Sequence, residues 1–570
     1  MAPQDATMFW LSSRTRNDLF LLYSFADAGA PTEALRTAVA ARSAHIPDLR
    51  VRLREAPADL SYPSWVPGAF TADQFVEHRL PRPDWAAVET ALGELLATGV
   101  DATIHPWRLH VFRGVAGAPM RATDDELATV VVLQMSHALA DGRRAAAIAR
   151  GLFAVGTGSG GVGDLDVRSE PGATGGEAMA QAIGAAPGRV GVSDSDAQSE
   201  PGVIGGGAMG EAVGAVPGRA GVGDSDARSE PGVIGGGAVR QGTGSGSGRS
   251  ARGGDSRSGG TWTVRWTGTA QVFGTVVEAV ARLRHSGLGA AVSGAVLLPA
   301  GVARTAVRGY RAYRAQTELA RLTEAGEVPP PGPGFAPSAV NRVGARGITD
   351  HRARMIVCAA EELRVPGRTI TVVVLTAVSV ALSEYLAAQG EPVERLAAQV
   401  PMALTDRGKT LSHNNYRSLG VELFIDEPDL RVRADLIAAA LADRRLRAEH
   451  PLLTAQDRVT AATPAPILRR DVDRYPIDTV PDSIAGHTVV SSVDRGPADL
   501  VFGGPVRCTG GFPALGAVMH LTHGVHGLGD TVTVSIHADA AVVPDVDEYA
   551  DLLRGALRAI PGALVQNEGH

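Results

Sequence analysis

The chain has 570 residues, 44% of them hydrophobic, and a formal net charge of −7. That length exceeds one ordinary core, so two domains are expected, and the acidic balance argues against nucleic acid as the main partner. With only Cys358 and Cys508, the sequence offers neither a disulfide framework nor a thiolate metal site; the expected compartment is reducing and cytoplasmic.

The N-terminal stretch "MAPQDATMFWLSSRTRNDLF" lacks the basic start and unbroken apolar run of a signal peptide. Helical spacing follows in "PTEALRTAVAARSAH" and "WAAVETALGELLATG", then strand patterns in "WRLHVFRG" and "LATVVVLQMS". The second strand is nearly all apolar, so it is expected to be buried on both faces.

An internal repeat begins at Gly161, Gly191 and Gly221, each copy about thirty residues long, a solenoid-like period. Each copy carries too few large apolar residues to offset the entropy of ordering its glycines. Residues 157–260 therefore read as a disordered Gly-rich insertion, whose deletion is expected to leave the fold intact. The run "GTGSGG" from Gly156 has dinucleotide-fingerprint spacing, but a helix precedes it and a repeat follows, so it is set aside.

Beyond the insertion, "VFGTVVEAVARLRHS" and "RTAVRGYRAYRAQTELARLTEAG" are expected helices, in a connecting region over 261–338 that ends in a proline-rich break. The uncharged segment from Ser286 to Ala303 is a weak membrane-span candidate. Arg282, Arg284, Arg304 and Arg308 on its flanks make attachment to a membrane or lipid surface the preferred reading. A second domain over 339–570 opens with the strand "RARMIVCAAEELRV" and the buried helix "TVVVLTAVSVALSEYLAAQG", followed by the strand "RLAAQVPMAL". Late strands "HTVVSSV" and "DTVTVSIHADAAVV" precede the closing amphipathic helix "VDEYADLLRGALRAI".

Chemistry concentrates in "SHALADG". An apolar strand ends at Ser136-His137, and Asp141-Gly142 opens the next helix. This places an imidazole at a strand terminus, where scaffolds present functional groups. Gly142 permits a tight turn, and Asp141 can cap the helix or hold an arginine. Taken alone, the same residues also describe a polar turn with a capping aspartate.

His137, Asp141 and Gly142 in this spacing resemble the HxxxDG motif of CoA-dependent acyltransferases, and the ordered set around it resembles bacterial wax ester synthase/diacylglycerol acyltransferases. That set includes "APQDATMFWLSSRTRNDLF", "DATIHPWRLHVFRG", "QVPMALTDRG", and "VVSSVDRGPADLVFGGPVR" followed by "HGVHGLGDTVTVSIHADAAVV". The resemblance implies an α/β architecture of two chloramphenicol-acetyltransferase-like domains around a central cleft or tunnel, with the first domain over 1–156. It implies an O-acyltransferase moving a long acyl chain from acyl-CoA, a co-substrate rather than a cofactor, to an alcohol or diacylglycerol, in wax ester or triacylglycerol synthesis.

In that scheme His137 is the general base and Asp141 is structural, with Arg407 its candidate partner. Ser136, Ser491 and Ser492 are candidate oxyanion donors, and His523 and His526 candidate cleft residues. The sequence departs from the family at three places: Ser136 replaces the first of two histidines, Thr371-Val372 an Asn-Asp pair, and Ser491-Ser492 a Ser-Asn pair. The alternative function is a degenerate member that binds acyl lipids or a protein partner without chemistry. His520, His523 and His526 invite a metal reading, but the glycines around them predict a loop, and no metal site is assigned.

Overall fold

The structure, a computed structural model, describes residues 1–154, 287–342, 350–404, 412–477 and 479–565. The repeat region, the "GTGSGG" run, the helix expected at 272–286 and Arg407 all lie outside the described residues.

The N-terminal part comprises α1 (Pro3–Ser12), β1 (Leu19–Ala26), α2 (Thr32–Ser43), β2 (Val51–Arg54), β3 (Ser64–Pro67), β4 (Phe75–His78), α3 (Trp85–Leu96), β5 (Trp107–Val115), β6 (Ala128–Met135) and α4 (Gly142–Phe153). Next come the long α5 (Gly287–Glu324), β7 (His351–Ala359), α6 (Ile370–Ala388), β8 (Ala397–Ala403), β9 (Tyr416–Glu422), α7 (Leu430–Ala448), α8 (Thr454–Thr460) and α9 (Ala465–Arg474). The chain ends with β10 (Thr488–Asp494), β11 (Val506–Phe512), β12 (Leu521–Leu528), β13 (Thr531–Asp539) and α10 (Val546–Val565).

Two sheets carry the fold, in the orders β11-β1-β6-β5-β4 and β7-β13-β12-β10-β8-β9, and β2 pairs with β3 as a separate hairpin. Every residue of β6 is buried, as its unbroken apolar run predicts. One face of its sheet packs Leu21, Tyr23, Val131 and Leu133 against Ile148 and Leu152 of α4. The other packs Leu22, Val130 and Val132 against Leu92 and Leu96 of α3.

β11 comes from the last quarter of the chain, yet it pairs antiparallel with β1, Phe512 opposite Phe20 and Cys508 opposite Ser24. The N-terminal sheet is thus completed by a strand more than 480 residues away from β1, a pairing no local pattern announces. Close approach of β11 to the second sheet requires glycine at two positions. A Cβ on Gly511 would lie 2.5 Å from the Arg495 guanidinium, and one on Gly524 would lie 2.2 Å from the Gly511 carbonyl oxygen.

The second sheet has two unlike faces, because side chains alternate along each strand. Val400, Val490, Val525, Val534 and Ile536 pack with α6 and α10 into the larger core. Ser491 lies beside Gly524 and Val493 beside His526, while Thr533 and Ser535 oppose His526 and Gly524, so these share the other face. That face turns toward the N-terminal sheet: a Cβ on Gly510 of β11 would lie 3.2 Å from the Ser535 hydroxyl.

Among the described residues α6 alone is long and apolar enough to cross a membrane, but 67% of its most apolar window is buried inside the protein. It is apolar all round because it is surrounded by core. The segment read as a weak span forms instead the first turns of α5, with Pro299 inside the helix. The loop expected around the three late histidines is a strand, β12, because its glycines serve close sheet packing rather than turns.

Candidate functional site

β6 delivers its C-terminus to a short turn. The Ser136 N–H donates to the Pro106 carbonyl at 2.8 Å, and the Leu139 N–H to the Ser136 carbonyl at 2.9 Å. Asp141 then caps α4, accepting from the Arg144 N–H at 2.9 Å. Its other carboxylate oxygen accepts from the Asn415 N–H at 3.4 Å. Backbone donors thus take up this carboxylate, and among the described residues no arginine pairs with it. Gly142 has no left-handed backbone, and a Cβ there would make an ordinary 3.5 Å contact with Val493, so the turn does not require glycine.

The segment 412–416, "SHNNY", docks onto this turn from the far half of the chain. The Asp141 N–H donates to the His413 carbonyl at 3.1 Å. His413 Nδ1 lies 2.9 Å from the Leu139 carbonyl, and its ring stacks on Trp65 at 6.3 Å between centroids. Trp65 also lines a cavity of about 500 Å3 together with His45 and Arg50.

Asp5, in the first turn of α1 and 1% exposed, anchors the docked segment. Its carboxylate accepts from the Ser412 hydroxyl at 2.8 Å, from the His413 and Asn414 N–H groups at 3.0 Å, and from the Asn414 side-chain amide at 3.0 Å. That same amide nitrogen donates to the His137 carbonyl at 2.8 Å, while Asn414 Oδ1 lies 2.8 Å from His137 Nδ1.

These contacts fix the imidazole. The nitrogen of the Asn414 amide must face Asp5 and the His137 carbonyl, since both only accept. Its oxygen therefore faces Nδ1, which must carry the proton, and Nε2 is left with its lone pair. Among the described residues Nε2 has no hydrogen-bond partner. Burial pulls the His137 ionisation below its ordinary value, against the opposing pull of Asn414, Asp141 and Asp5. A neutral, oriented imidazole is the state a general base needs. The Tyr416 ring lies 6.1 Å from that of His137, and burial first, then Asp141, raises its phenol ionisation, so it stays protonated.

The remaining candidates separate. Ser136 is 2% exposed and its hydroxyl accepts weakly from the Ala138 N–H at 3.4 Å. Ser491 and Ser492 point to opposite faces of β10. Ser491 shares the face turned to the N-terminal sheet, whereas Ser492 accepts from the Thr371 hydroxyl at 3.1 Å at the start of α6. Two of the departures from the family pattern thus contact each other.

His523 and His526 also part, being three residues apart in a strand. His523, fully buried, bonds the Tyr549 hydroxyl at 2.6 Å and the Thr488 hydroxyl at 3.0 Å in the core of the second lobe, so it is not a cleft residue. His526 faces the N-terminal sheet, where burial and then Arg495 hold it neutral. His520 is taken by Asp539 at 3.0 Å. Among the described residues no group of three or more His, Cys, Asp or Glu side chains is placed to hold a metal.

Asp5, His413, Asn414 and Tyr416 belong to no motif that the sequence displays. Asp5 lies inside "APQDATMFW", where nothing local marks it. "SHNNY", a polar cluster directly before a strand, was the one available signal.

Residues 1–156 match the model of the wax ester synthase/diacylglycerol acyltransferase catalytic domain, a span that contains His137 and Asp141. Among solved structures, the wax ester synthase/diacylglycerol acyltransferase of Marinobacter aquaeolei aligns over 98% of each chain at 14% identity, with a TM-score of 0.50. A mutant starter condensation domain of rhizomide synthetase, in complex with C8-CoA and Leu-SNAC, aligns over 99% of this chain and 94% of its own at 11% identity, with a TM-score of 0.45. No curated protein matches the sequence. The fold is that of the Marinobacter enzyme, the two-lobed chloramphenicol-acetyltransferase-like α/β architecture implied by the sequence resemblance.

Proposed function

We propose that the protein is an acyl-CoA-dependent O-acyltransferase in which His137 is the general base. One observation carries this reading: the Asp5–Asn414 pair holds His137 as the neutral tautomer with Nε2 free. The match of residues 1–156 to an acyltransferase catalytic domain supports it.

In this reading Nε2 takes the proton of the acceptor hydroxyl as its oxygen attacks the thioester carbon. The resulting tetrahedral intermediate collapses, the C–S bond breaks, and the imidazolium returns the proton to the departing CoA thiolate. The ester and free CoA leave, with no acyl-enzyme and no prosthetic group. Ser491, on the inward face of β10, is the best placed of the three serines to donate to the developing oxyanion. Asp141 is a positioning residue that ties the turn to 412–416. The acceptor is an alcohol or diacylglycerol, the class resembled by the ordered sequence motifs.

The test is release of CoA thiol from palmitoyl-CoA, with and without hexadecanol or a diacylglycerol. Acceptor-dependent release that collapses in a folded His137→Ala variant supports the reading. Equal release by both proteins overturns the role of His137. Binding of acyl-CoA without release, across a panel of hydroxyl acceptors, would favour a lipid-binding protein.

A further inference from the structure

Two cavities flank the hairpin of β2 and β3, and their polar groups differ in one respect. The first, of about 500 Å3, is lined by Val51 and Pro67, which pair across the hairpin, and by Pro47, His45, Arg50 and Trp65. The second, of about 460 Å3, shares Val51 and Pro67 and adds Arg52 and His105. In the second the donors are engaged: Arg52 Nη1 reaches the Thr103 carbonyl at 3.5 Å, and His105 Nε2 lies 3.1 Å from Asp73. In the first they are not. Arg50 and His45 are both exposed, and among the described residues neither side chain has a hydrogen-bond or ion-pair partner.

No acidic side chain lines the first cavity. Asp48, which lies between His45 and Arg50 in the chain, is held by Arg144 through bonds of 2.6 and 3.1 Å. Trp65 adds an aromatic wall and another unspent donor, since its Nε1–H is buried without an acceptor among the described residues. A cation without a counter-ion beside such a donor is completed by an anion that carries a ring.

We propose that this cavity binds a nucleotide phosphate, with the base against Trp65 and the phosphate on Arg50 and His45. The volume is that of a small-molecule site and more than a bare phosphate fills. Every base has a π-face that an indole can stack on, and a guanidinium presents paired N–H donors to phosphate oxygens. The site borders the reaction turn: the Trp65 ring stacks on His413, whose carbonyl accepts from the Asp141 N–H. An adenosine phosphate has two sources here, a free nucleotide or the nucleotide end of CoA. The second source rests on the acyltransferase reading; the first does not.

The full-length protein is titrated with adenosine monophosphate, adenosine 3′,5′-bisphosphate and inorganic phosphate, followed by calorimetry and by tryptophan fluorescence. Expected is saturable nucleotide binding, with inorganic phosphate weaker by roughly fivefold or more, the share of base stacking. Trp65→Phe should lose the fluorescence change and keep the heat. Arg50→Gln should weaken nucleotide binding roughly tenfold, the scale of a hydrogen bond to a charged group, and Trp65→Leu by roughly fivefold or more. Circular dichroism should be unchanged in every variant. CoA that displaces the bound nucleotide makes this the site of its nucleotide end; CoA that leaves it bound makes it a site for a free nucleotide.

No saturable binding of either nucleotide, equal affinity for inorganic phosphate, or unchanged affinity in folded Arg50→Gln and Trp65→Leu variants overturns the proposal. Such a failure with acceptor-dependent CoA release intact strikes this site alone. Nucleotide binding by a protein that releases no CoA counts against the acyltransferase reading alone.

Discussion

At His137 the decisive feature is not the histidine but the polarity of the amide beside it. Asp5 can only accept, so it compels Asn414 to present its nitrogen on that side and its oxygen to Nδ1. Asp5→Asn removes this compulsion and lets the amide turn. The expected result is a kcat lower on the order of tenfold, about 1.4 kcal/mol of transition-state stabilisation, with a smaller change in KM. Nitrogen NMR of His137 should then show a mixture of tautomers; a single unchanged tautomer would argue against the relay.

His137→Ala should lower kcat by ~10²–10⁴-fold, the usual contribution of general base catalysis. Burial holds the ionisation of His137 below its ordinary value. The imidazole is therefore mostly neutral at pH 6.5 and increasingly so above it, and kcat/KM should be level from about pH 7 upward. Activity should fall only at more acid pH, as the imidazole gains a proton. A profile already falling at pH 7 would contradict the assignment.

At the scale of elements, β11 is the part whose placement the rest depends on. Its two neighbouring glycines face different obstacles. A Cβ on Gly510 meets chiefly the terminal methyl of Met355, the end of a flexible side chain, at 2.6 Å. A Cβ on Gly524 in β12 meets the Gly511 carbonyl at 2.2 Å, which is backbone and cannot swing away. Gly524→Ala should therefore destabilise by roughly 1–3 kcal/mol or more, as overpacking does, and Gly510→Ala by less. Urea denaturation of the two variants orders them directly.

The same element shows what was readable and what was not. Helices α2 and α3 are legible because their spacing reflects which face is buried, and β6 because its unbroken apolar run marks a strand buried on both faces. The α6 helix is legible as apolar on most sides, and its burial in the second lobe explains why. β12 is a strand although its glycines predict a loop. Glycine usually marks a turn, but here it marks two strands in contact. The pairing of β11 with β1 is written in no periodicity, since both partners satisfy an ordinary strand pattern wherever they pair.

At the scale of the molecule, buried histidines set the response to acid. Burial depresses His110, His487 and His523 to about 4 and His537 to about 3. Each binds its proton more readily in the unfolded chain, so unfolding takes up protons as the pH drops. Their contribution is fully present above pH 6.5 and is lost as the pH falls toward 4. Thermal melts should thus be flat in midpoint from pH 8 to 7 and decline below 6.5. A midpoint that rises on acidification would refute this account.

The sequence by itself determined the setting of His137, the proposed base: an apolar strand, a histidine at its end, and an aspartate that caps the following helix. Those are local facts, fixed by burial and by the unsatisfied N–H groups of a helix start. It also determined the α/β class, through alternating helix and strand periods. Only the tertiary structure decided how the histidine is held. Asp5 and Asn414 are 409 positions apart, and their contact exists because α1 and the segment before β9 close on the same turn. It decided as well which of Ser491 and Ser492 looks inward, since the register of β10 sends neighbours to opposite faces. A pattern along the chain reports which residues avoid water; which residues meet each other is settled when the sheets pack.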